Sequence, residues 1–418
     1  MFKLKLKGSA LYLSLIIGVV ISLLLSLFVV LSRYNHTQLL VKDIQLQLKY
    51  NLISGVNLAT SPFFPETHNN SWTRLGINND SLKIKTLRWG AYQFINVCSK
   101  NGRFQTSLSG FYGTALKKDT GLVIADNGRA ISAAGEIRFN AFCYLPSSVL
   151  RPVFIEGMSY SGTSTTKSFI KPSPRRIPDL NNEYLSGFKN MISTYNSRTD
   201  SLVSELSPIS YVSFDAKTAV LQTTILHLTD QRFKGNIKLI AKEVNISKTA
   251  SLEDVLIVAD KIRVQKGFNG NLHLMVKDSI IIEPDCQLNY PSSLVIYNPD
   301  PKEISIGLRG IYIGENSVIE GSIICYNDKV SDTEVPRQLV KLNKNCKVYG
   351  LVYCSGYGHL QGKIYGNVYC ERLIVKSNSA TYENHLIDTE IDPKKHSGSV
   401  LVAACFNEKS NWECCKKL

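Results

Sequence analysis

The sequence lacks the short motifs by which many enzymes are recognised. Its 418 residues contain no GxSxG nucleophile elbow, no Walker loop, no HExxH zinc motif and no dinucleotide fingerprint. The seven histidines are dispersed, and no CxxC pair places two thiolates at metal-ligand spacing. We therefore expect a protein that is not an enzyme and that has no catalytic residues, no metal and no cofactor.

Acidic residues are in the minority, because 34 Asp and Glu stand against 48 Lys and Arg, a formal net charge of +14. This balance permits binding to DNA, anionic lipid or acidic polysaccharide. The lysines are scattered along most of the chain, which indicates a solvated basic surface, and we do not expect a nucleic-acid partner. A hydrophobic content of 44% argues against disorder, and the length allows two domains.

Charged residues are absent from Ala10 to Leu31, a run of 22 residues. At a helical rise of about 1.5 Å per residue, this run covers the roughly 30 Å hydrocarbon core of a bilayer. Basic residues in the leader, Lys3, Lys5 and Lys7, place the N-terminus in the cytoplasm by the positive-inside rule. The sequence predicts a single-pass membrane protein with a periplasmic or extracellular body.

Proline is also absent from residues 9–59, so nothing breaks a helix there. Beyond the span, apolar residues recur every four positions and form one stripe: Leu40, Ile44, Leu48, Leu52 and Val56. We expect one continuous helix to about residue 59.

A basic leader ending in Gly8, a small residue, a hydrophobic span and an amphipathic extension resemble the N-terminus of type IV pilins and minor pilin-like subunits. The resemblance implies cleavage after Gly8, which leaves Ser9 as the first residue. Most members have glutamate at the fifth mature position, and Leu13 stands there in this chain. An uncleaved anchor and a cleaved secretory signal are the alternatives.

Small residues within the span recur every four positions, at Ser14, Gly18, Ser22 and Ser26. They lie along one helix face, where small side chains allow a second helix to approach closely. We expect this face to pack on another copy or on a pilin-like subunit. The alternative is that the serines bond back to carbonyls of their own helix.

Three similar strands end in cysteine: SVIEGSIIC at Cys325, CKVYGLVYC at Cys354 and GKIYGNVYC at Cys370, with a weaker upstream copy at Cys143. Alternation with a period of two gives each strand one buried face. A second repeat begins at Leu239, Leu256, Leu274 and Leu294, at intervals of 17, 18 and 20 residues. This period predicts the coils of a β-solenoid over residues 216–385, and an antiparallel β-sandwich is the alternative.

The cysteines Cys325, Cys354 and Cys370 fall on the inward face of their strands, where we expect a packed interior ladder. A disulfide within the ladder and a metal site are the alternatives. Residues 310–376 also resemble bactofilin-type polymer-forming proteins in their Gly-x-Ile/Val strand rhythm. That resemblance implies a non-enzymatic envelope scaffold.

Acidic residues recur at similar places in three of the predicted coils, at Glu243, Asp260 and Asp278. Stacked coils would bring them into one acidic row. Such a row could bind a cation or a basic partner, although a solvated face of alternating charge is the simpler interpretation.

The predicted fold is mainly β, with a β-solenoid body, a long N-terminal transmembrane helix and one inserted helix. The segments are a basic leader (1–8), the transmembrane helix and its extension (9–60), a β-rich region that either joins the solenoid or stands apart (61–160), a linker with a helical excursion (161–215), the β-solenoid (216–385) and a polar basic tail (386–418).

The predicted function is that of a membrane-anchored structural or assembly protein of the cell envelope, such as a minor pilin-like subunit of a pilus or secretion machine. One alternative is a β-helix protein that binds or acts on polysaccharide, which would need an exposed row of aromatic or acidic residues. Another is a pilin-like protein of DNA uptake, which would need its positive charge gathered in one stripe.

Overall fold

The computed structural model describes residues 8–61, 70–75, 80–162, 168–192, 200–298, 309–327, 338–377, 380–395, 400–406 and 412–417. The chain is mainly β, with one long apolar helix at its N-terminus and a second, shorter helix, as predicted. It divides into two compact units, one of Met1–Lys85 with Asn96–Leu108 and one of Thr86–Ile95 with Ser109–Leu418.

The first unit contains helix α1 (Gly8–Ala59), which is unbroken over 52 residues and ends where the sequence predicts. Three of the strands that follow are β1 (Trp72–Arg74), β2 (Ser81–Trp89) and β3 (Tyr92–Asn101). β1 pairs antiparallel with the start of β2. The predicted stripe is buried only in the last third of α1, at Leu48 and Leu52, while Leu40 is exposed.

Strand β4 (Phe104–Ala115), like β2 and β3, has residues in both units, and eight strands of the second unit follow it before the second helix. These are β5 (Thr120–Ile124), β6 (Ile131–Phe139), β7 (Phe142–Leu145), β8 (Leu150–Pro152), β9 (Phe154–Ile155), β10 (Met158–Ser159), β11 (Ser161–Gly162) and β12 (Ile170–Pro172). The inserted helix α2 (Asn182–Ile192) lies within the predicted helical excursion and buries Tyr184, Phe188 and Met191, which recur at helical spacing.

The remaining strands follow α2. They are β13 (Asp200–Val203), β14 (Ile209–Val212), β15 (Thr218–Gln222), β16 (Ile225–Leu228), β17 (Arg232–Gly235), β18 (Ile237–Ile246), β19 (Ser251–Glu253), β20 (Val255–Val264), β21 (Asn269–Gly270), β22 (Leu272–Ile282), β23 (Gln287–Asn298), β24 (Arg309–Ile313), β25 (Val318–Asn327), β26 (Gln338–Lys376), β27 (Thr381–Glu383), β28 (His385–Ile391), β29 (Leu401–Val402) and β30 (Trp412–Lys417).

Successive passes of the chain pair in parallel along three ladders. In ladder one the apolar residues Leu239, Ile257, Leu274, Leu294 and Ile323 are neighbours, each facing the next. Ladder two joins Val244, Ile262, Ile280, Ile311 and Val340, and ladder three includes the pairs Phe233 with Leu252 and Leu288 with Ile319. All of these side chains are buried in one apolar core. We call one pass through the three ladders a coil.

The register differs by one residue from the predicted repeat. Ile257, and not Leu256, stands between Leu239 and Leu274. A shift of one residue turns a strand side chain to the opposite face. Leu256 therefore points away from the inner core. It packs in a second apolar cluster, which includes Trp89, Phe94, Phe111 and Val402.

The coils begin earlier in the chain than predicted, and their order in space differs from their order in sequence. β13 already pairs with β15 at Asp200, before the predicted boundary at residue 216. After Cys370 the next strand in ladder one is β5, which pairs in turn with β7. Thus residues of the 61–160 region join the same sheet as β18 and β20 to β28.

The predicted boundary at residue 386 falls inside strand β28, which pairs with both β26 and β6. Within the described part of the tail, Leu401, Val402 and Cys405 are buried. These residues of the predicted polar tail are therefore packed against the rest of the unit. Val402 and Cys405 belong to the second apolar cluster.

Glycines are required where ladder one begins in three successive passes, at Gly321, Gly350 and Gly366. A Cβ on Gly350 would overlap the carbonyl oxygen of Gly321, and one on Gly366 would overlap that of Gly350. Gly350 also has a φ of 145°, which L side chains rarely adopt. The close approach of successive coils at this corner explains the recurring glycine in the cysteine strands.

We expect Gly350→Ala to lower the free energy of unfolding of this unit by about 3 kcal/mol or more, because backbone atoms must move to admit the methyl group. Gly267→Ala is the matched control, since Gly267 also has a positive φ but no atom lies within 4 Å of its Cβ position. Gly267→Ala should lower the free energy of unfolding by about 1 to 2 kcal/mol, which is the strain of the left-handed backbone alone. Denaturant titration measures both, and equal losses would contradict the close-approach explanation.

Candidate functional site

Helix α1 has an N-terminal part that is apolar and exposed. From Leu11 to Leu31 every residue is exposed, and the mean hydropathy reaches 3.0 in an 18-residue window. Among the described residues, this is the one helix long and apolar enough to cross a membrane. Exposed apolar surface of this extent is unfavourable in water, and a bilayer would remove that cost.

The structure places the predicted residues of this helix as follows. Gly8 begins α1, whereas Lys3, Lys5 and Lys7 lie outside the described residues. The hydroxyls of Ser14, Ser22 and Ser26 donate to the carbonyls of Leu11, Val19 and Leu23, at 2.8, 2.9 and 2.9 Å. The row therefore needs no second helix to satisfy its hydrogen bonds, and packing through its small surface stays a prediction.

The C-terminal part of α1 contacts strands of its own unit through a polar network that the sequence did not predict. The Asn51 amide donates to Asp80 at 2.7 Å, and the Asn101 amide donates to the other oxygen of the same carboxylate at 2.6 Å. Asp80 is only 1% exposed. A buried carboxylate with two amide donors fixes both the rotation and the height of the helix on the strands.

A signal for this network was present in the sequence. Asn51 interrupts the apolar stripe between Leu48 and Leu52, and a polar residue on a buried helix face needs a partner. Asp80, the partner, lies 29 residues away in sequence, and no local pattern links the two. Next to them, Gly55 lets Val97 and Leu82 pack against the helix backbone.

The three cysteines of the predicted ladder lie together in the inner core. Cys325 stands directly opposite Cys354 in ladder one, and the Cys354 thiol also contacts that of Cys370. All three are at most 1% exposed. Ile124, and not Cys143, faces Cys370 on the next strand, so the weaker upstream copy does not extend the row.

Hydrogen bonds and burial determine the ionisation of these three thiols. The Cys354 thiol donates to the carbonyl of Tyr357 at 3.3 Å, and the Cys370 thiol donates to that of Arg372 at 2.9 Å. The contact with Cys354 and burial raise the pKa of Cys325, and burial raises the pKa of Cys370, both well above the ordinary value. The protonated thiols of Cys325 and Cys370 are therefore poor nucleophiles and poor metal ligands. At Cys354 burial acts to raise the pKa, but the contacts with the thiols of Cys325 and Cys370 outweigh it and lower the pKa well below the ordinary value. The nine cysteines whose side chains the structure describes are all free.

The predicted acidic row does not form. Glu243 stands opposite Lys261, and Lys261 stands opposite Ser279. A register irregularity after Ala259 displaces the next coil, where Asp278 instead lies 3.6 Å from the Arg309 guanidinium. Asp260 has the Lys277 ammonium at 3.5 Å. Charges of opposite sign therefore alternate along this corner, as in the simpler interpretation.

Among the residues that the structure describes, no three His, Cys, Asp or Glu side chains converge on a point that could hold a metal ion. The buried His273 contacts Ser293 at 3.0 Å, but burial lowers the pKa of its imidazole to about 3, and both side chains are closed off from solvent. No family model, no curated protein and no solved structure matches this chain.

We expect Cys354→Ser to destabilise the second unit by about 1 to 3 kcal/mol under reducing conditions, because a hydroxyl replaces a weakly polar thiol in an apolar core. Cys414→Ser is the matched control, since that side chain is only half-buried. Thermal unfolding with and without reductant measures both variants. A loss that appears only against oxidised wild type would instead indicate a disulfide, and no loss at all would contradict tight packing.

Proposed function

We propose that the chain is a single-span cell-envelope protein that is built like a pilin subunit and displays a β-solenoid body outside the membrane. The observation that carries this proposal is the division of α1. Its N-terminal part, from Leu11 to Leu31, is exposed and as apolar as a membrane span, whereas its last turns pack on strands through the Asn51 and Asp80 pair. The pilin resemblance implies this arrangement, in which one continuous helix spans the membrane with its N-terminal part and packs on a folded unit with its C-terminal part.

The pairing of the strands supports a solenoid body. Three parallel ladders with one shared apolar core are what stacked coils produce, and strands such as β18 and β20 have a parallel neighbour on each side. An antiparallel sandwich would pair these strands in the opposite direction.

The basic leader supports an orientation with the N-terminus in the cytoplasm. The body would then lie in the periplasm or outside the cell. Oligomers or pilin-like assemblies would form through the exposed face of α1 at Ser14, Gly18, Ser22 and Ser26. In this role the span anchors the β body to the membrane.

The proposal is tested by the mass of the mature protein from isolated membranes. Pilin-like processing predicts an N-terminus at Ser9, and Gly8→Val should leave the leader attached. An N-terminus at Met1 in the membrane fraction would keep the anchor and reject the pilin-like part. An N-terminus beyond Leu31 in the soluble fraction would reject both, because the apolar run would then be a cleaved signal.

We expect the double change Gly18→Leu and Ser22→Leu to weaken self-association of the span in a membrane dimerisation assay. Two leucines would hold the helix backbones apart at the small-residue face. Val20→Leu with Leu24→Ile, off that row, is the control that keeps hydrophobicity similar. An unchanged association signal in the first variant would show that the row is not a packing face.

A further inference from the structure

A cleft of about 990 Å³ lies in the second unit, on the outer side of the corner between ladder one and ladder two. Successive coils contribute the short segments at this corner, and the end of α2 closes one side with Ile192. The segments that line it are 202–204, 222–224, 240–242, 258–260 and Lys277. The cleft therefore runs along the stacking direction and crosses the strands instead of following them.

The floor of the cleft is apolar and its walls are polar. Ile240 and Leu202 present hydrocarbon, and Leu202 is 56% exposed. Thr223 and Thr224 are exposed and offer hydroxyls. Lys277 is offset by Asp260, whereas the described residues include no carboxylate within ion-pair distance of the Lys242 ammonium. The cleft thus carries one uncompensated positive charge.

The spacing of these groups restricts the kind of ligand. Neighbouring coils repeat about every 4.8 Å, so equivalent groups recur at that interval along the cleft. A pyranose ring with its bridging oxygen is of similar length, whereas an extended peptide advances about 3.3 Å per residue. Moreover, β15, β18 and β20 are paired along ladder one, so a peptide cannot add to them as a further strand.

We propose that this cleft binds a glycan chain whose sugars carry carboxylate groups, with Lys242 as the residue that recognises the acid. The hydroxyls of Thr223 and Thr224 would bond to sugar hydroxyls, and Ile240 would contact the apolar face of a ring. The proposal draws on the proposed location of the body only for the source of the glycan. Binding by the purified protein does not depend on membrane location or on leader cleavage, so the two proposals can fail separately.

The experiment is titration calorimetry on the full chain in detergent. The probes are a hexamer of α-1,4-linked galacturonic acid, the matching neutral glucose hexamer and a hexapeptide of glutamate. We expect the galacturonate hexamer to bind most tightly. Lys242→Glu should weaken it by about tenfold, and Lys242→Arg should keep binding within about twofold.

Lys248→Glu is the matched control, because Lys248 is exposed and lies outside the cleft, and the substitution changes the charge by the same amount. It should leave binding within about twofold. An equal loss in Lys248→Glu and Lys242→Glu would show attraction by net charge only and overturn the site. Equal binding of the neutral hexamer would overturn acid recognition, and equal binding of the glutamate peptide would overturn the choice of a glycan. Unchanged melting curves exclude misfolding as the cause of any loss.

Discussion

The in-register parallel pairing of successive coils is the constraint on which the second unit depends. Backbone hydrogen bonds fix the distance between coils, and the period of two then decides which side chains meet in the core. At the corner of Gly321 and Gly350 this distance leaves no room for a Cβ. Inside, it brings Cys325 against Cys354, where a small, weakly polar side chain packs without the volume of isoleucine.

Features with strong local periodicity could be predicted from the sequence. The uncharged run of α1 and the apolar spacing of α2 lie in one segment each, so pattern alone was sufficient. The register of β20 was missed because five apolar residues, 255–259, stand side by side and fit either face. The corner residues Asp285, Asn316 and Asn345 were also missed, although all three have positive φ and their side chains bond in a column. Asn and Asp at a coil interval are the signal that would have found them.

The pairing of β5 with the strand of Cys370 could not be predicted for a different reason. Alternation shows that a strand has one buried face but contains no information about which strand lies beside it. The chain enters the second unit, supplies β5 to β12, and then winds the coils from β13 onward, so that early strands adjoin the last ones. Only the pairing of β5 with β26, two strands far apart in sequence, brings Ile124 to Cys370.

The cleft lies where the second apolar cluster no longer covers the outward side chains of ladder one. The outward row of this ladder is apolar for most of its length, at Ile240, Val258, Met275, Val295 and Ile324. Aromatic residues of the second apolar cluster cover Met275 and Val295 completely, with Trp89 held by its hydrogen bond to the Asp254 carbonyl at 2.7 Å. Ile240 is only partly buried, and the residue opposite it in the preceding coil is the exposed Gln222. The second apolar cluster stops covering this row where its residues change from apolar to polar. The surface left there is amphipathic and suits a ligand that has both hydroxyls and apolar faces.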